Sequence, residues 1–141
     1  MAETLHLQIV TPDKQLVSEE VDQVQIPGKS GYLGVLPGHA PLLTELMIGE
    51  ISYTHGATTQ YLAVSWGFAE VLPDKVTILA DTAERAEEID VKRAQEAKAR
   101  AEEALRRAAP DLDYDATLFA LRRAEVRLEV AGRAGLVAPK H

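Results

Sequence analysis

Apolar and polar residues alternate with period two in four stretches of the first 85 residues. Leu5, Leu7 and Ile9 form one row. Val24 and Ile26 alternate with Gln23 and Gln25, and Ile51 and Tyr53 with Ser52 and Thr54. Val76, Ile78 and Ala80 alternate with Thr77 and Leu79. A period of two buries one face of a strand and leaves the other in water. Pro12-Asp13, Pro27-Gly28, Pro37-Gly38, His55-Gly56 and Pro73-Asp74 suit the turns between such strands. Short strands without intervening helices predict an antiparallel sandwich or a flattened barrel.

The period then changes. From Val91 to Ala109 there is no glycine, proline or aromatic residue, and Ala, Glu, Lys and Arg dominate. These are strong helix formers. Asp90 is placed to cap the start, and Pro110 forbids continuation because it lacks an amide hydrogen. Asp113 caps a second predicted helix running to about Val130, ended by Gly132. The short linker predicts an antiparallel hairpin. Ala94, Ala97, Ala101, Ala104 and Ala108 recur at helical spacing and are expected to face Leu118, Leu121, Ala124 and Leu128. At ~25 cal/mol per Å² of apolar surface, an alanine seam stabilises less than a leucine seam. Such a hairpin is either a stable appendage or one that detaches and re-docks.

Charge sharpens the division. Residues 1–85 hold eleven acids and four bases; residues 86–141 hold eleven of each. The net charge of −7 therefore lies wholly in the first region. Neither region has the basic surplus that a phosphate backbone requires, which argues against nucleic acid. The absence of cysteine excludes disulfides and Cys-based zinc sites. "MAETLHLQIV" has no basic region followed by a long apolar run, so no signal peptide is expected. No stretch approaches the ~18 apolar residues of a membrane span.

Catalytic signatures are incomplete. "GKS" at Gly28–Ser30 lacks the glycine five residues earlier that a phosphate-binding loop needs; Gln23 stands there. "VSWGF" around Ser65 lacks the glycine two positions before the serine that a nucleophile elbow needs. His6, His39, His55 and His141 show no ligand spacing, so no metal is expected. The arginines leave two readings open. Arg93 and Arg100 share a helix face, as do Arg123 and Arg127. Grouped guanidinium groups bind a polyphosphate through bidentate hydrogen bonds. Alternatively, the helix arginines simply pair with Glu96 or Glu103.

"GVLPGHAPLLTEL", beginning at Gly34, and "VLPDKVTILADTAERAEEID", ending at Asp90, resemble the epsilon subunits of bacterial F-type ATP synthases. The resemblance runs from Leu5 to about Val130. One departure is Trp66, where that family usually has a small glycine.

The resemblance implies a ten-stranded antiparallel β-sandwich over residues 1–86, a regulatory hairpin over 87–132 and a flexible tail over 133–141. It implies a non-catalytic rotor subunit on the cytoplasmic face of the bacterial inner membrane, with no required cofactor. The expected partners are the gamma subunit and the c-subunit ring. Pro37, His39 and Pro41 would lie on gamma, and the turn Lys29, Ser30, Gly31 and Tyr32 on the c ring. Raised along gamma, the hairpin would brake ATP hydrolysis, with Arg106, Arg107, Arg122 and Arg123 meeting the alpha and beta subunits. Some members bind ATP in the folded hairpin. By residue matching, Glu84, Ile89, Asp90, Arg93 and Ala94, with Arg100, Arg123 and Arg127, would form that site here. A free-standing ATP-binding sensor is the alternative.

Overall fold

The computed structural model describes residues 3–134. Eight strands precede two helices: β1 (Leu5–Val10), β2 (Gln15–Val21), β3 (Gln23–Gly28), β4 (Gly31–Val35), β5 (Leu42–Leu46), β6 (Gly49–His55), β7 (Thr58–Leu72) and β8 (Lys75–Arg85), then α1 (Val91–Arg107) and α2 (Tyr114–Arg133). The strands run in the order β2-β1-β8-β7-β5-β3-β4, and β6 pairs with β3 and β7. The pairing is antiparallel except between β1 and β8, which run parallel. The residues singled out by alternation face inward. Leu5, Leu7, Ile9, Val24, Ile26, Ile51, Tyr53, Val76, Ile78 and Ala80 are all buried in one core.

The count of eight and the expected ten describe one architecture. β7 is 15 residues long and β8 is 11, and each serves both layers. Up to Val64, β7 pairs with β6; from Gly67 onward it pairs with β5. The change of partner falls at a kink. Trp66 has φ 55° and Gly67 φ 128°, both in the left-handed region. Gly67 packs directly under the β8 backbone, where a Cβ would stand 2.0 Å from the Leu79 carbonyl oxygen. Only glycine permits that approach. Dividing β7 and β8 at the kink gives ten strands.

The helices start where their caps predict. Asp90 Oδ1 accepts from the Arg93 amide, and Asp113 Oδ1 from the Ala116 amide, each at 3.1 Å. α1 stops at Arg107, with Ala108 left-handed at its end, two residues before Pro110. The second helix corrects the expected end near Val130. It continues through Gly132 to Arg133, because Val130 and Ala131 bury against the sandwich and Arg133 pairs with Glu50. Arg133 thus belongs to the helix rather than to the expected tail. Residues 135–141 of that tail lie outside the described residues.

The helix faces also differ from expectation. Ala94, Ala101 and Ala124 are buried, but Leu118 points outward. Ala116, Thr117 and Ala120 line the α2 side of the seam instead, opposite Ala97, Ala101 and Ala104. A shallow groove of about 320 Å³ remains open along this part of the seam. α2 has a second buried face, unforeseen in the alternation. Val126, Val130 and Ala131 form a small core with Ile48, Ala63, Ala86 and Ile89. This face seats the hairpin on β6 and β7.

Candidate functional site

The junction between sandwich and hairpin is built from the end of β8 outward. The Arg85 guanidinium donates to the Leu16 carbonyl at 2.8 Å and to the Tyr53 hydroxyl at 3.4 Å, fixing β8 to the layer beneath. The Arg85 amide donates to Glu88. The chain then makes a single 3-10 turn, Ala86–Glu88, and Ala86 and Ile89 enter the second core. α1 begins immediately after, so its position depends on two buried apolar residues, Ala86 and Ile89.

Two ion pairs tie α2 back to the sandwich. Arg127 Nε donates to Glu84 Oε1 at 2.6 Å. Arg133 donates to Glu50 through Nε at 2.9 Å and Nη2 at 3.4 Å, with its guanidinium 5.7 Å from the Tyr61 ring centre. The Glu50 hydrogen bond raises the Arg133 pKa above its ordinary value and keeps the group charged. An aromatic contact adds a third tie. Trp66 meets Phe119 edge to face, with ring centres 5.0 Å apart.

The residues matched to an ATP site are only partly brought together. Glu84, Arg123 and Arg127 line one cavity with Ser65 and Thr82. Its volume is about 10 Å³, room for a single water at most. Arg127 already spends its charge on Glu84. Ile89 and Ala94 are buried as packing residues, and Asp90 is the α1 cap. Arg93 is exposed, and Arg100 borders the groove between the helices; neither lines the cavity. The guanidinium groups suit a polyphosphate, yet the cavity beside Glu84, Arg123 and Arg127 is too small for a nucleotide while the hairpin is docked.

The residues matched to subunit contacts fall at the two ends of β4 and β5. At one end is the β3–β4 turn. Lys29 pairs with Glu45 at 3.1 Å, Ser30 and Gly31 are exposed, and the Tyr32 hydroxyl accepts from the Glu50 amide at 2.9 Å. At the other end, the loop carrying Pro37, His39 and Pro41 is held by the Gly38 amide donating to the Pro73 carbonyl. His39 Nδ1 donates to the Ala40 carbonyl at 2.6 Å. A five-residue strand, ~17 Å long, separates the two groups. Between them lies a face with bulky apolar side chains in water: Leu43 is 70% exposed, Phe68 53% and Leu79 54%. Phe68 and Leu79 are cross-strand partners. Sequence reasoning missed both; their outward positions in the β7 and β8 alternation are the signal.

The arginines matched to inhibition do not form one cluster. Arg106 pairs with Glu103, and Arg107 is exposed beside it. Arg122 lies 3.9 Å from Glu125 and 3.8 Å from Glu129, while Arg123 turns inward to the cavity beside Glu84. Glu103 is thus held by Arg106 rather than by one of the four grouped arginines, of which Arg127 pairs with Glu84. Among the described residues no group of three His, Cys, Asp or Glu is placed to hold a metal. No helix there is long and apolar enough to cross a membrane.

Two family matches divide the chain where the structure does. Residues 4–86 match the beta-sandwich domain of the ATP synthase delta/epsilon chain, and residues 87–132 match its long alpha-helix domain. The chain belongs to the ATP synthase delta/epsilon family. It is 52% identical over 136 residues to ATP synthase epsilon chain 2 of Syntrophotalea carbinolica, covering 96% of this chain and 99% of that one. It is 68% identical over 111 residues to the ATP synthase epsilon chain of Koribacter versatilis, covering 79% and 78%. Among solved structures it resembles a chain of the Euglena gracilis mitochondrial ATP synthase, in an assembly of OSCP, F1 and c-ring. That match has TM-score 0.68 and 26% identity, and covers 95% of this chain and 82% of that one. A chain of the Tetrahymena thermophila synthase central stalk and c-ring shares the fold at TM-score 0.59 and 12% identity, covering 92% and 95%.

Proposed function

We propose that this chain is a non-catalytic rotor subunit that docks on gamma and the c ring and brakes ATP hydrolysis when its hairpin leaves the sandwich. One observation carries the reading. The hairpin sits on the sandwich through a small core and a few side-chain ties, while the opposite apolar face lies uncovered. Exposed Leu43, Phe68 and Leu79 support a docking surface, since a soluble chain gains nothing from wetting them together. Prolines at Pro37 and Pro41 stiffen the adjoining loop, so less entropy is lost when it meets gamma. The exposed turn Lys29–Tyr32 suits the polar loops of the c ring. On this reading the chain lies on the cytoplasmic face of the bacterial inner membrane as a peripheral part of the synthase.

The non-catalytic reading is supported by how the titratable groups are used. His6 Nδ1 lies 2.8 Å from Glu20, Glu84 holds Arg127, and Asp90 and Asp113 cap helices. Capture of gamma and the catalytic subunits by the full chain tests the assembly. Phe68→Glu is expected to weaken capture of gamma at least tenfold; unchanged capture contradicts docking through this face.

A second reading adds ATP as a regulatory ligand. The grouping of Arg123 and Arg127 beside Glu84 favours it. With the cavity so small, ATP requires the hairpin to shift and Arg127 to leave Glu84. Titration of the isolated chain tests this. Saturable binding, strengthened in Glu84→Gln, is expected; no saturation at millimolar ATP removes the reading. Nucleotide binding by a chain that captures no synthase subunit would favour a free-standing sensor.

A further inference from the structure

Trp66 holds a conformation that is awkward for its residue type. Its φ of 55° lies in the left-handed region, which a bulky side chain occupies only under constraint. The constraint is visible: Gly67 is wedged under the Leu79 carbonyl, and β7 changes partner from β6 to β5 at this point. Glycine at position 66 would satisfy the same backbone without strain. The sandwich alone therefore gains nothing from tryptophan there, and the compensation must come from what its side chain touches.

That side chain faces the hairpin. The kink aims the indole at α2, where it meets Phe119 edge to face at 5.0 Å and packs beside the small core that seats the helix. Phe119 is 42% exposed and does not belong to the sandwich core. We infer that Trp66 is a clasp: a strained residue of the sandwich whose function is to hold α2 in the docked position. This rests on the reading that the hairpin detaches, and it names a residue pair that sets how often it does.

The inference makes a prediction of opposite signs. Trp66→Gly relieves strain in the sandwich and at the same time loosens the hairpin. The chain has no cysteine, so spin labels at T59C on β7 and E102C on α1 are unique, and both positions are exposed. Electron–electron distance measurements on the full chain then give the ratio of undocked to docked molecules. An aromatic pair of this geometry is worth roughly a three- to tenfold rise in that ratio on removing either ring. Trp66→Gly and Phe119→Ala are each expected to produce it, and the double variant to do no more than either alone. The slowest-exchanging core amides of Trp66→Gly are expected to exchange no faster than in the parent. A second distance whose population stays within twofold of the parent in both variants overturns the clasp while leaving a mobile hairpin intact. So does an additive double variant. Faster core exchange also overturns it, by making Trp66 a support of the sandwich. No second distance in any variant overturns the clasp and the mobile hairpin together.

Discussion

Arg133 grips Glu50 with two guanidinium nitrogens, joining the last turn of α2 to the start of β6 across 83 residues of chain. Glu50 also offers its amide to the Tyr32 hydroxyl, so one residue links the hairpin to the exposed β3–β4 turn. The Arg133 side chain is about half exposed, which limits the worth of the pair. Arg133→Ala should weaken docking by about 1 kcal/mol or less. Trp66, the single tryptophan, is the reporter. Its emission should shift to the red as salt is raised to about 1 M in the parent, where screening reaches ~3 Å, and much less in the variant.

Gly67 is where the sandwich tolerates least. A methyl group there meets backbone rather than a yielding side chain, and φ is 128°. Gly67→Ala is expected to cost about 3 kcal/mol or more, from clash and left-handed strain together. Gly34 is the control, since a Cβ there has nothing within 4 Å. Gly34→Ala should stay within about 0.5 kcal/mol of the parent. Urea denaturation of the two variants checks the contrast.

Tyr53 sets an alkaline limit. Burial raises its pKa above the ordinary 10.0, against the lowering effect of the Arg85 hydrogen bond. A group whose folded pKa is raised contributes stability that is intact below the unfolded pKa and is lost as pH rises through the folded value. Parent stability should therefore fall above about pH 10 more steeply than that of Tyr53→Phe. Parallel declines of the two chains in denaturation between pH 9 and 12 would contradict this.

The caps give a local prediction. Asp113→Ala removes the acceptor of the Ala116 amide and should cost about 1 kcal/mol. Hydrogen exchange is expected to quicken over Tyr114–Thr117 and to leave β1 unchanged, because the helix start is far from the sandwich core in the order of stability.

The parts of this fold that can be read in the residues are those set by local periodicity. Leu5, Leu7 and Ile9 declare a strand because burial on one face of a pleat demands alternation, and Asp90 and Asp113 declare helix starts because unpaired amides demand acceptors. The rest depends on distant encounters. Val126, Val130 and Ala131 form a second face of α2 that packs on Ile48 and Ala63 of the sandwich and on Ala86 and Ile89 before α1, contacts that spacing along α2 does not distinguish from the seam. The pair of Glu84 with Arg127 spans 43 residues, and the kink at Trp66 exists because β7 passes from one neighbour to another. At the candidate site, matching to the family selects Glu84, Arg123 and Arg127, and the fold brings these three to one small cavity. That matching does not foresee that Arg93 and Arg100 lie outside their cavity.

ATP hydrolysis by the reconstituted catalytic head tests the central claim most directly. Heads carrying the full chain are compared with heads carrying a chain ended after Asp90, which keeps the sandwich and removes both helices. The account predicts faster hydrolysis with the shortened chain. Equal rates, with both chains bound, would contradict a braking hairpin.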